Sequence, residues 1–213
     1  MAGRVGMRSV DTRLFRSARR LAATLLLCTA GACARIAAEP LPAGCITPTP
    51  AQIGGPISLL DETGAPITQA AFQGRPAIVY FGYTFCPDVC PLSMQSLALT
   101  LGELGESGRP IQPILISVDP ERDTPAAVQR YVQSGGFPAG LRGLTGSPAQ
   151  VKAAAAAFKV GYRKDSTERD YTVSHLSSFF VIDPDWRVRG LMPASLAPKE
   201  AAACIAAALQ HRS

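Results

Sequence analysis

The segment from Ile78 to Leu104 most constrains the fold, because it reads as a strand, a loop with two cysteines and a helix. Its first four residues are apolar without polar alternation, which is typical of a strand buried on both faces of a sheet. Pro91 suits the first turn of a helix, and apolar residues then recur at helical spacing. Cys86 and Cys90 are therefore predicted at a helix N-terminus, where the helix dipole stabilises a thiolate and suits both residues to act as nucleophiles or metal ligands.

The remainder of the domain alternates between short apolar runs and helical patterns. Strands are predicted at 111–118, 179–182 and 188–191, helices at 125–132, 149–158 and 199–209, and a small hairpin at 57–67. Two parallel strands joined by a crossover, then an antiparallel hairpin and a closing helix, indicate an α/β, thioredoxin-like fold. We expect a central mixed sheet flanked by helices, with an N-terminal β-hairpin, in a domain covering residues 56–213.

The first 38 residues have the three parts of an export signal. Their arginine-rich start is followed by an apolar run from Leu21 to Ala34 that ends in small residues. We expect an exported protein on the periplasmic side of the inner membrane, associated with it through this segment. The alternatives are acylation at Cys33, which would make a lipid anchor, and simple cleavage of the signal. Residues 39–55, rich in proline and alanine, are predicted to be a linker.

The distribution of charge argues against one class of partner. The chain has a formal net charge of +5, yet residues 1–38 carry +6 and the remainder carries −1. The basic balance therefore belongs to the leader. The folded part gives no electrostatic reason to expect a nucleic acid partner.

Four of the six cysteines lie beyond the predicted leader, at positions 45, 86, 90 and 204. A structural disulfide is one reading of Cys86 and Cys90, and it is natural in an oxidising compartment. A bridge that closes so short a loop would contribute only about 2 kcal/mol or less, so a redox or metal role is favoured. Cys45 and Cys204 either pair with each other as a tether or remain as two free thiols.

One of the two histidines, His175, is the third candidate for the site. In a thioredoxin-like sheet the loop before the strand that begins near Ser178 lies across from the dithiol loop, so we expect His175 to approach Cys86 and Cys90. Two thiolates and one imidazole suit copper, with zinc as the competitor. A purely structural histidine is the alternative, and His211 is expected to be solvated at the C-terminal fringe.

The spacing of the two cysteines separates two kinds of chemistry. Thioredoxin-type oxidoreductases use C-x-x-C, whereas three residues intervene between Cys86 and Cys90. The wider loop lets two sulfurs share one ion without forbidding a disulfide, so metal binding and oxidation are expected to exclude each other. Other metal-binding residue types are interpreted as structural: Asp119, Glu121 and Asp123 in turn formation and helix capping, and Met94 and Met192 in core packing.

Four motifs in this order and spacing resemble the Sco (SenC) family of copper-binding assembly factors for cytochrome c oxidase. They are GYTFCPDVCP at 82–91, SVDPERDTP at 117–125, GLTG at 143–146 and YTVSHLSSFFVIDP at 171–184. The resemblance implies a thioredoxin-like domain, usually held to a membrane, that binds one copper ion through two cysteines and one histidine, here Cys86, Cys90 and His175. It also implies a role in maturing the binuclear copper centre of the oxidase's second subunit, by delivering copper or by reducing that subunit's cysteines.

One difference from many family members lies next to the histidine. Ser174 precedes His175 where many members carry an aspartate, and Leu176 follows it where they carry a serine. A carboxylate that would orient the imidazole is therefore not expected there, which should affect the affinity for copper(II) more than the affinity for copper(I).

Three functions compete at this point. The first is a copper metallochaperone whose partners are the copper-centre subunit of cytochrome c oxidase and other copper carriers. The second is a thiol-disulfide oxidoreductase or thiol peroxidase, with Cys86 or Cys90 as nucleophile and His175 nearly dispensable. The third is a partner-binding domain in which the dithiol is permanently oxidised.

Overall fold

The computed structural model describes residues 41–47, 52–166 and 170–210, so the predicted leader, with Cys33, and His211 lie outside the described residues. The strands in these ranges are β1 (Ser58–Asp61), β2 (Pro66–Thr68), β3 (Ala77–Gly82), β4 (Gln112–Ser117), β5 (Arg142–Thr145), β6 (Tyr162–Ser166), β7 (Tyr171–His175), β8 (Ser178–Ile182) and β9 (Val188–Pro193). The α-helices are α1 (Val89–Glu103), α2 (Pro125–Val132), α3 (Pro148–Ala157) and α4 (Pro198–Gln210), and short 3-10 turns occur at Gln69–Phe72 and Gly105–Ser107.

In the described part of the chain, one seven-stranded sheet has the order β2-β1-β5-β4-β3-β8-β9, and β6 and β7 form a separate two-stranded sheet. β4 runs parallel to both β3 and β5, and the other pairs of the large sheet are antiparallel. α1 contacts α4, α2 contacts β5, and α3 contacts β1. The predicted α/β, thioredoxin-like fold is confirmed, with its mixed central sheet flanked by helices and the β1–β2 hairpin at its N-terminal side.

The local signals in the sequence explain most of these elements. Every residue of β3 is buried, as its unbroken apolar run predicts. Thr124 begins α2 by accepting a hydrogen bond from the Ala127 amide at 3.2 Å, and Ser147 begins α3 through a capping box with Gln150. Within the described ranges, no helix is both long enough and apolar enough to cross a membrane.

Three features of the fold differ from the expectation. β5 was not predicted, because it has only four residues and begins with Arg142, which pairs with Asp61 and Glu62. β6 was not predicted either, since most of its side chains are polar and exposed. The position of His175 in a loop was wrong, because it is the last residue of β7. Its strand does show a two-residue alternation, which places Tyr171, Val173 and His175 on one face.

A short N-terminal strap, residues 41–47, is bonded to the edge of the large sheet. Ile46 and Leu191 of β9 exchange backbone hydrogen bonds of 2.8 and 2.9 Å. Cys45 forms a disulfide with Cys204 of α4, and their Cα atoms are 5.8 Å apart. Of the two alternatives that the sequence left open for these cysteines, the tether is therefore confirmed and two free thiols are wrong.

Candidate metal centre

Cys86 and Cys90 remain free thiols on either side of the start of α1. Cys86 lies in the loop after β3 and is partly exposed, whereas Cys90 is the second residue of α1 and is completely buried. The Cys90 amide donates a hydrogen bond to the Cys86 sulfur at 3.3 Å. An amide that has no partner within the helix thus points at the more exposed sulfur, at a helix N-terminus as the sequence predicts.

The β7 strand brings His175 to the same place. Its Nε2 atom is 3.4 Å from the Cys90 sulfur, and its Nδ1 atom is 3.3 Å from the Leu176 carbonyl oxygen. Tyr80 and Tyr83 both meet the imidazole edge-on, at 5.9 Å between ring centroids. Two aromatic rings therefore limit where the imidazole can turn, and its Nε2 atom faces the buried thiol.

An open cleft of about 310 Å³ leads to these side chains. Its lining includes Tyr83, Cys86, Asp88, Val173, His175 and Ser177. Cys90 lies below the cleft, so an ion or a partner's thiol that enters it reaches Cys86 and His175 before it reaches Cys90.

The pKa values of the two thiols shift in opposite directions because a hydrogen bond joins the two side chains. The hydrogen bond from the Cys90 side chain lowers the pKa of Cys86 to about 4, although partial burial opposes this change. Hydrogen bonds from His175 and from the backbone amides of Cys90 and Asp88 also contribute to this low pKa. The same bond to Cys86 raises the pKa of Cys90, and burial raises it further. At neutral pH the pair therefore holds a thiolate on Cys86 and a proton on Cys90.

Tyr80, which the sequence analysis did not single out, forms the floor of the site. Its hydroxyl is 3.9 Å from the Cys90 sulfur and 3.1 Å from the Ser177 hydroxyl oxygen, and burial raises the pKa of its phenol. The signal in the sequence was a lone tyrosine in an otherwise apolar strand, since a buried phenol needs a hydrogen-bond partner.

The buried acidic residues of the loop after β4 have structural contacts, as expected, although Thr124 and not Asp123 caps α2. The buried Asp123 carboxylate accepts hydrogen bonds from the Thr84 amide at 3.0 Å, the Thr84 hydroxyl at 2.7 Å and the Ser117 hydroxyl at 2.6 Å. These bonds hold the beginning of the dithiol loop against β4. Met94 and Met192 are fully buried, which confirms their assignment to the core.

The chemistry of the donor atoms fits copper, but their spacing is not yet that of a coordination sphere. Two cysteine sulfurs and one imidazole nitrogen are the donors that select copper or zinc. Among the described residues, no group of three or more His, Cys, Asp or Glu side chains stands in an arrangement that could hold a metal ion. Cys86, Cys90 and His175 would therefore have to converge further around an ion, and the partly exposed Cys86 and His175 side chains have the room to move.

The side chain next to the histidine has a carboxylate partner on the neighbouring strand. The Ser174 hydroxyl donates a hydrogen bond to Asp165 of β6. That carboxylate contacts Ser174, whereas the Nδ1 atom of His175 lies against the Leu176 carbonyl oxygen. The imidazole is thus oriented here by a backbone carbonyl, which is the weaker acceptor.

Comparison with known proteins finds one family over most of the described chain. The family model SCO1/SenC matches residues 47–210. Protein SCO1 homolog 1, mitochondrial, of Arabidopsis thaliana is 42% identical over 137 residues, which are 63% of this chain and 40% of that protein. Protein SenC of Rhodobacter capsulatus is 38% identical over 135 residues, which are 63% of this chain and 60% of that protein. The matched region thus spans about half the length of these curated relatives.

Solved structures extend the comparison to proteins with copper bound. Bradyrhizobium japonicum ScoI with copper bound is 37% identical, with a TM-score of 0.65 over 74% of this chain and 99% of that one. Arabidopsis thaliana ScoI with copper bound is 34% identical, with a TM-score of 0.71 over 75% of this chain and 99% of that one. From the match to the family model and from these relatives, the chain belongs to the SCO1/SenC family.

Proposed function

We propose that this protein is a copper-binding metallochaperone that holds one copper ion as cargo between Cys86, Cys90 and His175. The observation that carries the proposal is the meeting of three donor side chains at the base of one cleft, with His175 Nε2 at 3.4 Å from the Cys90 sulfur. Relatives that were solved with copper bound support the choice of metal. Sulfur ligands favour copper(I), and the imidazole adds the donor that copper(II) requires.

The acidities of the two thiols suggest an order of binding. Cys86 is already a thiolate near neutral pH and faces the cleft, so it meets an incoming ion first. Cys90 has to lose its proton before its sulfur can bind, and this release makes copper affinity rise with pH. A disulfide between the two sulfurs would abolish the site, so only the reduced protein carries copper.

The partner and the location follow from the family. We propose that the copper passes to the copper-centre subunit of cytochrome c oxidase, or is exchanged with other copper carriers, on the periplasmic side of the inner membrane. The leader at 1–38 supports export, and Cys33 is the candidate for a lipid anchor. The family's association with copper, together with a cleft open to a partner's thiols, supports the recipient.

Copper loading of the reduced full-length protein under anaerobic conditions tests the ligand set. The wild type should retain one copper per chain after gel filtration, whereas Cys86→Ser and Cys90→Ser should each retain almost none. His175→Ala should keep copper(I) but lose the visible thiolate-to-copper(II) absorption of the wild type. The double variant Cys45→Ser/Cys204→Ser is the matched control, and it should load fully. Full copper retention by the double variant Cys86→Ser/Cys90→Ser would refute the proposal.

A thiol-disulfide reductase is the second candidate, and the thiolate on the partly exposed Cys86 favours it. The Cys86 sulfur would attack a partner's disulfide and form a mixed disulfide, which releases one partner thiolate. The Cys90 sulfur would then attack Cys86 and release the second, so that the partner gains two electrons and this protein becomes a disulfide. Stoichiometric reduction of an oxidised peptide by the reduced, copper-free protein, retained in His175→Ala, would support this activity; no reduction of the peptide would exclude it.

A further inference from the structure

The β7 strand carries His175, yet it has no backbone pairing with the large sheet. Within the described ranges, β6 and β7 pair only with each other. The C-terminal end of β7 is anchored because β8 begins three residues after His175. The other end, at Asp170 and Tyr171, needs a different anchor if the strand is to keep a fixed orientation across the cleft.

That anchor is Arg122, from the loop between β4 and α2. Its Nη1 atom donates to the Asp170 carboxylate at 3.0 Å and to the Tyr171 carbonyl oxygen at 3.0 Å. Its guanidinium carbon lies 3.7 Å from the centroid of the Tyr171 ring. The Arg122 side chain is only 15% exposed, so its contact with Tyr171 is partly shielded from water, whereas the Asp170 side chain is 57% exposed.

Arg122 is itself fixed to the main body of the domain. Its Nε atom donates to Asp119 at 2.5 Å, and the Asp119 side chain is completely buried. The Tyr171 hydroxyl donates to the other oxygen of Asp119 at 2.7 Å. Asp119, Arg122 and Tyr171 thus form a closed set of contacts in which each touches the other two.

The same guanidinium also reaches the dithiol loop. It lies 4.9 Å from the centroid of the Phe85 ring, next to Cys86, and 5.9 Å from that of Tyr83. The Tyr83 hydroxyl in turn accepts a hydrogen bond from the Val173 amide of β7 at 3.3 Å. One arginine therefore contacts both the loop that carries the cysteines and the strand that carries the histidine.

We propose that Arg122 is a positioning residue that sets the orientation of β7, and with it the distance of His175 from the two cysteine sulfurs. Arg122 contacts the strand through Tyr171 rather than through His175, so it would act on the ligand indirectly. The inference rests on the proposed function, because it concerns how the three copper ligands are brought together. A lysine could not replace this arginine, since the stack and the divergent hydrogen bonds require a planar guanidinium.

The test compares Arg122→Lys with wild type in two measurements on the full chain. In the metal-free protein, hydrogen exchange followed by mass spectrometry should be faster at residues 171–175 and unchanged in α4 and the centre of β3. In the loaded protein, copper(II) affinity should fall about 10- to 100-fold, with weaker nitrogen hyperfine splitting in the electron paramagnetic resonance spectrum. Copper(I) affinity should change less, because two sulfurs dominate its binding.

Arg163→Lys is the matched control, because Arg163 lies on the same hairpin, is 78% exposed and pairs with Asp165. It should behave as wild type in both measurements. If Arg122→Lys does not fold, Tyr171→Leu removes the stacked ring while leaving the Arg122–Asp119 pair, and it should give the same local changes.

Two outcomes would overturn the proposal. One is a wild-type exchange rate in β7 together with an unchanged copper(II) signature, and the other is faster exchange spread evenly over the whole domain. A wild-type protein that retains no copper would instead refute the proposed function, and the exchange experiment on the metal-free protein would still decide whether Arg122 holds β7.

Discussion

The two cysteine pairs of the domain stand in opposite situations. Cys45 and Cys204 are 159 residues apart in sequence and joined by a disulfide, whereas Cys86 and Cys90 are four residues apart and free. The entropy of the unfolded chain explains why a disulfide stabilises the fold more at one pair than at the other. A bridge across the long loop restricts the unfolded chain by about 5 kcal/mol, and one across the short loop by about 2 kcal/mol. The long bridge therefore stabilises the fold, while the short pair is left available for chemistry.

The surroundings of the two cysteine pairs also differ. Cys204 is completely buried on α4, and its partner belongs to the strap hydrogen-bonded to β9. Cys86 instead faces an open cleft, and amide, thiol and imidazole groups stabilise its thiolate. Loop length and hydrogen bonding therefore decide which cysteine pair of this domain is a disulfide and which is a reactive dithiol.

Removing the long bridge should give the largest effect on stability. The double variant Cys45→Ser/Cys204→Ser should lose about 2–5 kcal/mol of unfolding free energy, because its unfolded chain is no longer restricted. Denaturant unfolding of the full chain, followed by circular dichroism, measures the change. An unchanged unfolding midpoint would show that the bridge does not stabilise the domain, and loss of copper from this variant would contradict the separation of roles.

The low pKa of Cys86 should give the next largest effect, a difference in reactivity from an ordinary thiol. For a thiol with the ordinary pKa of 9.0, the thiolate fraction falls about a thousandfold between pH 8 and pH 5. Cys86, with a pKa of about 4, should keep nearly all of its thiolate, so its alkylation by iodoacetamide should change little over that range. Peptide mass spectrometry after timed alkylation measures it. A tenfold fall in rate for each pH unit would contradict the assignment.

The same shift has a consequence for folding. Because the pKa of Cys86 is lower in the folded protein, the thiolate contributes fully to stability above pH 9, and the contribution is lost as the pH falls through 4. Cys90→Ala is the control for the alkylation measurement, because it removes the hydrogen bond that lowers the pKa of Cys86 most. Its alkylation profile should move to higher pH.

Gly82→Ala should give the smallest effect, and it acts next to only one of the two cysteine pairs. A Cβ atom at this position would lie 2.7 Å from the Tyr80 ring and 3.1 Å from the Cys90 sulfur. Overpacking of this kind costs about 1–3 kcal/mol, and here it should also displace Cys90 and weaken copper retention. Thermal unfolding and copper content measure the two parts. Gly102→Ala is the control, because nothing lies within 4 Å of its added Cβ atom.

Local patterns were sufficient to predict the central part of this structure. The apolar run of β3 and the proline after Cys90 indicated a strand, a loop and a helix, and the structure places both cysteines there. Thr124 and Ser147 begin their helices as their sequence context predicts. These features depend on neighbours within a few positions, which is why sequence periodicity and capping rules reveal them.

The remainder depends on contacts between distant residues. Arg122 meets Asp170 and Tyr171, which lie 48 and 49 positions away, so no local pattern indicates its place beside β7. The pairing of Cys45 with Cys204 was one of several connectivities that the sequence allows. The approach of His175 to the cysteines was expected from the thioredoxin-like sheet, while its exact donor distances required the fold.

The most direct test of the central claim, that Cys86, Cys90 and His175 hold the ion, is X-ray absorption at the copper edge of the loaded full-length protein. The wild-type spectrum should show two sulfur ligands and one imidazole, and His175→Ala should lose the imidazole scattering alone. The variant Cys45→Ser/Cys204→Ser should give the wild-type spectrum. An imidazole signal that persists in His175→Ala, or a wild-type centre without two sulfur ligands, would contradict the account.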